Sequence, residues 1–165
     1  ALDINRIINW KNASAEGLTV GYYQRFHASI DPVEQAKQVV ATLNTLSGAS
    51  RPNLPPALKV DTNDGQSNAT VIARINQWLA YIQSNTGRQP VLLVTSDYWS
   101  SLGYPTPSPL PYIWVSHLKV ACPTVPSPWG ILRLWQSSTT GFVAGISGSV
   151  NLDTYNGSIA TLQNL

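Results

Sequence analysis

Apolar positions along the first half of the chain recur at two alternating periods. Ile4, Ile7 and Ile8 fall at helical spacing, so residues 3–16 read as a helix capped by Asp3 and stopped by Gly17. Leu18 to Phe26 is rich in aromatic and branched residues and reads as a strand. Val33, Ala36, Val40, Leu43 and Leu46 return to helical spacing behind Asp31-Pro32-Val33-Glu34. There Asp31 can cap, Pro32 suits the first turn and Glu34 can reach back in a capping box. Gly48 ends that helix. Pro55 to about Thr62 reads as a short buried strand, and Asn63-Asp64-Gly65 as a turn. Ser67 or Asn68 then caps a longer helix with Val71, Ile75, Trp78 and Ile82 on its face, Ile72 and Leu79 beside them, and Gly87 at its end. Pro90 to Ser96 reads as a buried strand. Helix and strand alternate three times, which implies a parallel sheet with helical crossovers.

The second half changes character. Asp97 to Leu102 suits one helical turn, with Asp97 as its cap. Pro105, Pro107, Pro109 and Pro111 enforce an extended loop. Strands are expected at Tyr112–Leu118 and Ile131–Ser137, a tight Gly-rich turn or hairpin at Gly141–Ser149, a last strand at Val150–Tyr155 and a short helix at Ser158–Leu165. The expected class is therefore α/β, with a mostly parallel sheet and a helix-poor C-terminal half. Without an internal repeat or a long linker, residues 1–165 read as one domain.

Composition narrows the function classes. Of the 165 residues, 43% are hydrophobic and only 11% charged, well under the usual quarter or so. Ser, Thr, Asn and Gln must supply the polar surface, a style common in secreted proteins. The net charge is +2 and the basic residues are scattered, so nucleic acid is not an expected partner. No apolar run reaches the ~20 residues of a membrane span. There is no methionine, which reads as a processed chain or a fragment. The lone Cys122 excludes an internal disulfide and reads as a half-buried thiol without a role. His27 and His117 lack metal-ligand spacing, so neither a metal nor a cofactor is expected.

The chemistry concentrates at one strand end. Side chains alternate along a strand, so Lys59 and Asp61 point to the same face. The carboxyl end of a strand is where α/β domains place their chemistry. Asp61 is thus the candidate catalytic group, and an ion pair with Lys59 is its plain structural alternative. Of the eight acidic residues, Asp3, Glu16, Asp31 and Glu34 sit at helix ends. Asp64 reads as a turn residue. Asp153 shares a face with Asn151 and is the one acid that pairs plausibly with Asp61.

The order of these segments resembles the glycoside hydrolase family 25 lysozymes. Ala15-Glu16-Gly17-Leu18-Thr19-Val20-Gly21-Tyr22-Tyr23 is similar to the approach to that family's third barrel strand. Leu54-Pro55-Pro56-Ala57-Leu58-Lys59-Val60-Asp61 resembles the strand bearing its Asp-x-Glu. Thr86-Gly87-Arg88-Gln89-Pro90-Val91, Ile113-Trp114-Val115-Ser116-His117, Leu134-Trp135-Gln136 and Val150-Asn151-Leu152-Asp153-Thr154-Tyr155-Asn156-Gly157 resemble later segments. The resemblance implies a TIM-like β/α barrel, here incomplete or modified, because the two strands that open the family's fold have no counterpart. It implies a secreted protein with peptidoglycan or a related polysaccharide as its partner.

The departures change the expected chemistry. Lys59 stands at the family's aspartate position, Asp61 at its general-acid glutamate, Asn151 at its last-strand aspartate and Gln24 at a histidine. Glycoside hydrolysis needs a protonated carboxyl beside an ionised one, and a neighbouring cation favours the ionised form of a carboxylate. The expectation is a glycan-binding or scaffold protein with a degenerate acid site. The alternative is an atypical muramidase using Asp61. Tyr23, Lys59, Trp99, Trp114, Trp135, Asn151 and Asp153 are the expected substrate contacts, since sugar rings stack on aromatic faces. A homo-oligomer, a partner chain or the 141–149 hairpin is expected to close the open barrel edge.

Overall fold

Five strands lie parallel in chain order, and a sixth returns antiparallel at the far edge. The computed structural model describes residues 3–46 and 54–165, so the stop expected at Gly48 lies outside the described residues. The order is α1 (Arg6–Ala15), β1 (Tyr23–Arg25), α2 (Pro32–Leu46), β2 (Ala57–Lys59), α3 (Asn68–Thr86), β3 (Val91–Thr95), α4 (Ser96–Ser101), β4 (Tyr112–Ser116), β5 (Leu134–Gly141), β6 (Val150–Tyr155) and α5 (Ile159–Gln163). The curled sheet is a half-barrel, as expected for an incomplete β/α barrel. Among the described residues β1 and β6 are its two open edges.

Local chemistry explains most of the boundaries. At α2, the Asp31 carboxylate accepts the N–H groups of Val33 and Glu34 at 2.8 and 2.9 Å. Glu34 does not reach back; it pairs with Lys37 at 2.6 Å. At α3, Ser67 is the cap, and Gly87 closes the helix with a left-handed φ of 68°. Two caps differ from expectation. Asp3 accepts the N–H of Asn5 at 2.8 Å, and α1 begins later, at Arg6. Thr95, not Asp97, caps α4, its hydroxyl accepting the N–H of Tyr98 at 3.1 Å.

The first two strands are shorter than the apolar runs that announce them. Pro55 and Pro56 have no N–H to donate, so the ladder is interrupted before Ala57. Extended pairing still runs beyond the strands: Leu54 N–H reaches Val20 O at 3.0 Å, and Phe26 N–H reaches Lys59 O at 2.8 Å. At the other end, the 141–149 segment is the turn of the β5–β6 hairpin, with irregular register after Gln136. It pairs its own strands and does not close the sheet on β1.

The pairing register assigns each residue a face. Gln24, Leu58, Leu92 and Ile113 lie in one row, with Val60, Val94 and Val115 on the same side. These pack with Val39 and Leu43 of α2 and Val71, Ile75, Trp78, Leu79 and Ile82 of α3 in one buried core. Burying each of these side chains contributes about 1.5–3 kcal/mol. The opposite face carries Tyr23, Ala57, Val91 and Tyr112, then Arg25, Lys59, Leu93, Trp114 and Leu134. That face presents the candidate chemistry at the carboxyl ends of its strands.

Candidate functional site

Arg25 and Lys59 are register partners on β1 and β2, and Asp61 follows Lys59 by two residues. The three side chains meet at the carboxyl ends of the strands. Asp61 Oδ1 lies 3.1 Å from Arg25 Nε, and its Oδ2 lies 3.8 Å from Lys59 Nζ. Both oxygens of the carboxylate thus face cations. The ion pair expected from sequence is present, and Arg25 is a second cation that the reading of the strand end missed. The signal was available: Arg25 follows Tyr23 by two residues and so shares its face.

A second acid lies across the sheet. Asp153 on β6 accepts a hydrogen bond from the Trp114 indole N–H at 2.7 Å. Burial raises the pKa of its carboxyl, and the Trp114 hydrogen bond opposes that rise. Asn151 lies two residues away on the same strand and is exposed. Tyr23 is 56% exposed on the edge strand and shares the face of Lys59 and Trp114.

Two of the expected substrate contacts lie elsewhere. Trp99 is 1% exposed, meets Trp129 with tilted rings 5.2 Å apart and donates its indole N–H to Ser127 O, so it is a residue of the hydrophobic core. Trp135 pairs with Val115 in register and so sits on the helix side of β5, its indole N–H donated to His117 O at 2.8 Å. Gln24 also faces the helices, where its side-chain oxygen accepts the Trp78 indole N–H at 2.8 Å. Sequence shows an aromatic on or near a strand but not the register that chooses its face.

The segments after β1, β2 and β3 add residues that sequence reasoning set aside. His27 Nδ1 lies 3.6 Å from Asp64 Oδ2. Burial raises the pKa of the Tyr98 phenol, and the charges of Asp64 and Asp61 push it further. His117 is hydrogen-bonded filler, its Nδ1 accepting the Thr124 N–H at 3.1 Å. Cys122 is exposed rather than half-buried. No described helix is long and apolar enough to cross a membrane, and no group of three His, Cys, Asp or Glu among the described residues could hold a metal ion.

Known proteins are similar to this chain in sequence and fold. Lysozyme M1 of Streptomyces globisporus is 32% identical over 93% of this chain and 55% of its own. The uncharacterized protein YegX of Escherichia coli (strain K12) is 28% identical over 94% of this chain and 54% of its own. The chain thus spans about half the length of the curated relatives it matches. The crystal structure of the bacterial lysozyme from Streptomyces coelicolor superposes with a TM-score of 0.84 at 29% identity, covering 98% of this chain and 78% of that one. The model of the glycosyl hydrolases family 25 matches residues 4–146, nearly the whole sheet and its crossovers, and the chain belongs to that family.

Proposed function

We propose that this chain is a glycan-binding member of its family with a degenerate acid site, acting on peptidoglycan or a related polysaccharide outside the cell without cleaving it efficiently. One observation carries the reading: both oxygens of Asp61 are occupied by Arg25 and Lys59. A general acid must hold a proton and present it to the leaving-group oxygen. Here both carboxylate oxygens already face cations, so neither is turned freely toward a leaving group. What remains on that face is suited to holding a sugar chain: Tyr23 and Trp114 as ring surfaces, with Lys59, Asn151 and Asp153 as polar contacts.

A second reading is favoured by Asp153. Its carboxyl has a raised pKa and lies on the same face as Asp61. A carboxyl with a raised pKa and a second acid on one sheet face are the two kinds of group that acid–base glycoside chemistry uses. In that case the chain is an atypical muramidase using Asp61.

Two measurements on purified bacterial cell walls decide between them. The binding reading expects the chain to sediment with the walls and to leave their turbidity unchanged. Clear lysis, abolished in Asp61→Ala, would establish the hydrolase. We extend the binding reading to the open β1 and β6 edges, where pairing with a second copy supplies the missing neighbour; light scattering that gives a monomer mass refutes that extension.

A further inference from the structure

Asp64 reads as a turn residue, yet the turn does not use its carboxylate. The turn is held by Thr62 Oγ, which accepts the Asp64 N–H at 3.2 Å, and by Asn63 Oδ1, which accepts the Gly65 N–H at 3.1 Å. Asp64 itself takes a φ of 48°, a left-handed backbone that Asp tolerates. This aims the side chain inward, to 20% exposure. Its Oδ2 is buried and has no hydrogen-bond partner among the described residues. A buried carboxylate oxygen in that state calls for a donor.

The donor in reach is His27. Its backbone is fixed from both sides by the buried Gln35, whose Oε1 accepts the His27 N–H at 3.0 Å and whose Nε2 donates to the His27 carbonyl at 2.9 Å. The imidazole is thereby set at the carboxyl end of β1, 45% exposed, with Nδ1 3.6 Å from Asp64 Oδ2. That gap is about half an ångström longer than a hydrogen bond, within reach of a small rotation of either side chain. Near Asp64 stand Asp61 and the Tyr98 phenol, whose hydroxyl is also buried without a hydrogen-bond partner among the described residues. A histidine whose Nδ1–H is held by a carboxylate offers the lone pair of Nε2 outward.

We propose that His27 is a ligand-contacting residue of the strand-end site, with Asp64 as its positioning residue, and that the outer imidazole nitrogen accepts a hydrogen bond from a saccharide hydroxyl. The assignment rests on the glycan-binding reading above. It adds an acceptor on the β1 side of the cleft, opposite the Trp114–Asp153 pair.

The test combines imidazole tautomer with affinity. Long-range proton–nitrogen NMR spectra of the full chain should show His27 as the Nδ1–H tautomer. In Asp64→Gly, which keeps the positive φ without strain, His27 should shift to Nε2–H. Titration with soluble sonicated peptidoglycan strands should show about a five- to tenfold weaker Kd for His27→Ala, the loss of one hydrogen bond. Asp64→Gly should lose a similar amount, and the double variant little more than either single one. Native binding with no loss in His27→Ala overturns the proposal and leaves the glycan reading standing. No binding by the native chain overturns the glycan reading and the ligand assigned here. An Nε2–H tautomer in the native chain overturns the role of Asp64 whatever the binding result, and unchanged amide spectra in the variants separate all of these from misfolding.

Discussion

Arg25 Nε lies 3.1 Å from Asp61 Oδ1, a contact between the ends of two neighbouring parallel strands. On the proposed reading, residue 61 differs from the resembled family's acid in its cationic neighbour as well as in its own side chain. Writing the acids back by Lys59→Asp, Asp61→Glu and Asn151→Asp leaves Arg25 beside residue 61. We expect that triple variant to stay within about tenfold of background in a cell-wall turbidity assay, because one proton donor is worth about 10²–10⁴-fold only when it is free to donate. Strong lysis by the triple variant with Arg25 intact would show that the cation does not disable the site.

Asp153 gives a prediction in pH. Its folded-state pKa is raised, chiefly by burial. A raised acid favours the fold with its proton on. That contribution is fully present below the unfolded value of about 3.9 and is lost as pH rises through the higher folded value. Asp153→Asn keeps an oxygen for the Trp114 indole and removes the charge. The variant should gain on the native chain in urea midpoint between pH 3 and pH 7. The gain should be small, because Asp153 is exposed over much of its surface and solvent screens it. A variant that loses ground on going to pH 7 would contradict the direction of the shift.

Trp99 and Trp114 should separate stability from binding. Trp99 is 1% exposed against Trp129, and Trp99→Ala should cost about 3–5 kcal/mol in urea unfolding. Trp114 is partly exposed on the open face, and Trp114→Ala should cost about 1–2 kcal/mol while reducing sedimentation with cell walls. Equal stability losses with unchanged wall binding would remove Trp114 from the site.

The alternation of helical and strand periods foretold the element order, because both periods are written in one helix-facing core. Strand lengths were less legible: the ladder at β1 and β2 depends on prolines and on partners distant in sequence. The strand-end charges were legible in part. Lys59 and Asp61 lie two apart on one strand, so their meeting follows from the pleat. Arg25 joins them through parallel register, which no local pattern displays. His27 and Asp64 meet only because Gln35 and a left-handed turn aim two loops at each other. Trp99 and Trp135 misled for the same reason: an aromatic suits a sugar cleft or a core equally well until its face is known.

Face assignment can be tested directly at two adjacent residues. Tyr23 and Gln24 are neighbours on β1, but the pleat turns them to opposite sides. Tyr23 is 56% exposed on the open face. Gln24 turns toward α3, where its oxygen accepts the N–H of the fully buried Trp78. Gln24→Leu would leave that N–H without an acceptor and should destabilise the fold by about 1–3 kcal/mol. Tyr23→Ala should stay within about 0.5 kcal/mol of the native chain, as surface substitutions do. Urea unfolding of the two variants therefore reads the pleat. If Tyr23→Ala proved the costlier change, β1 would be turned over, and with it the placement of Arg25 beside Asp61.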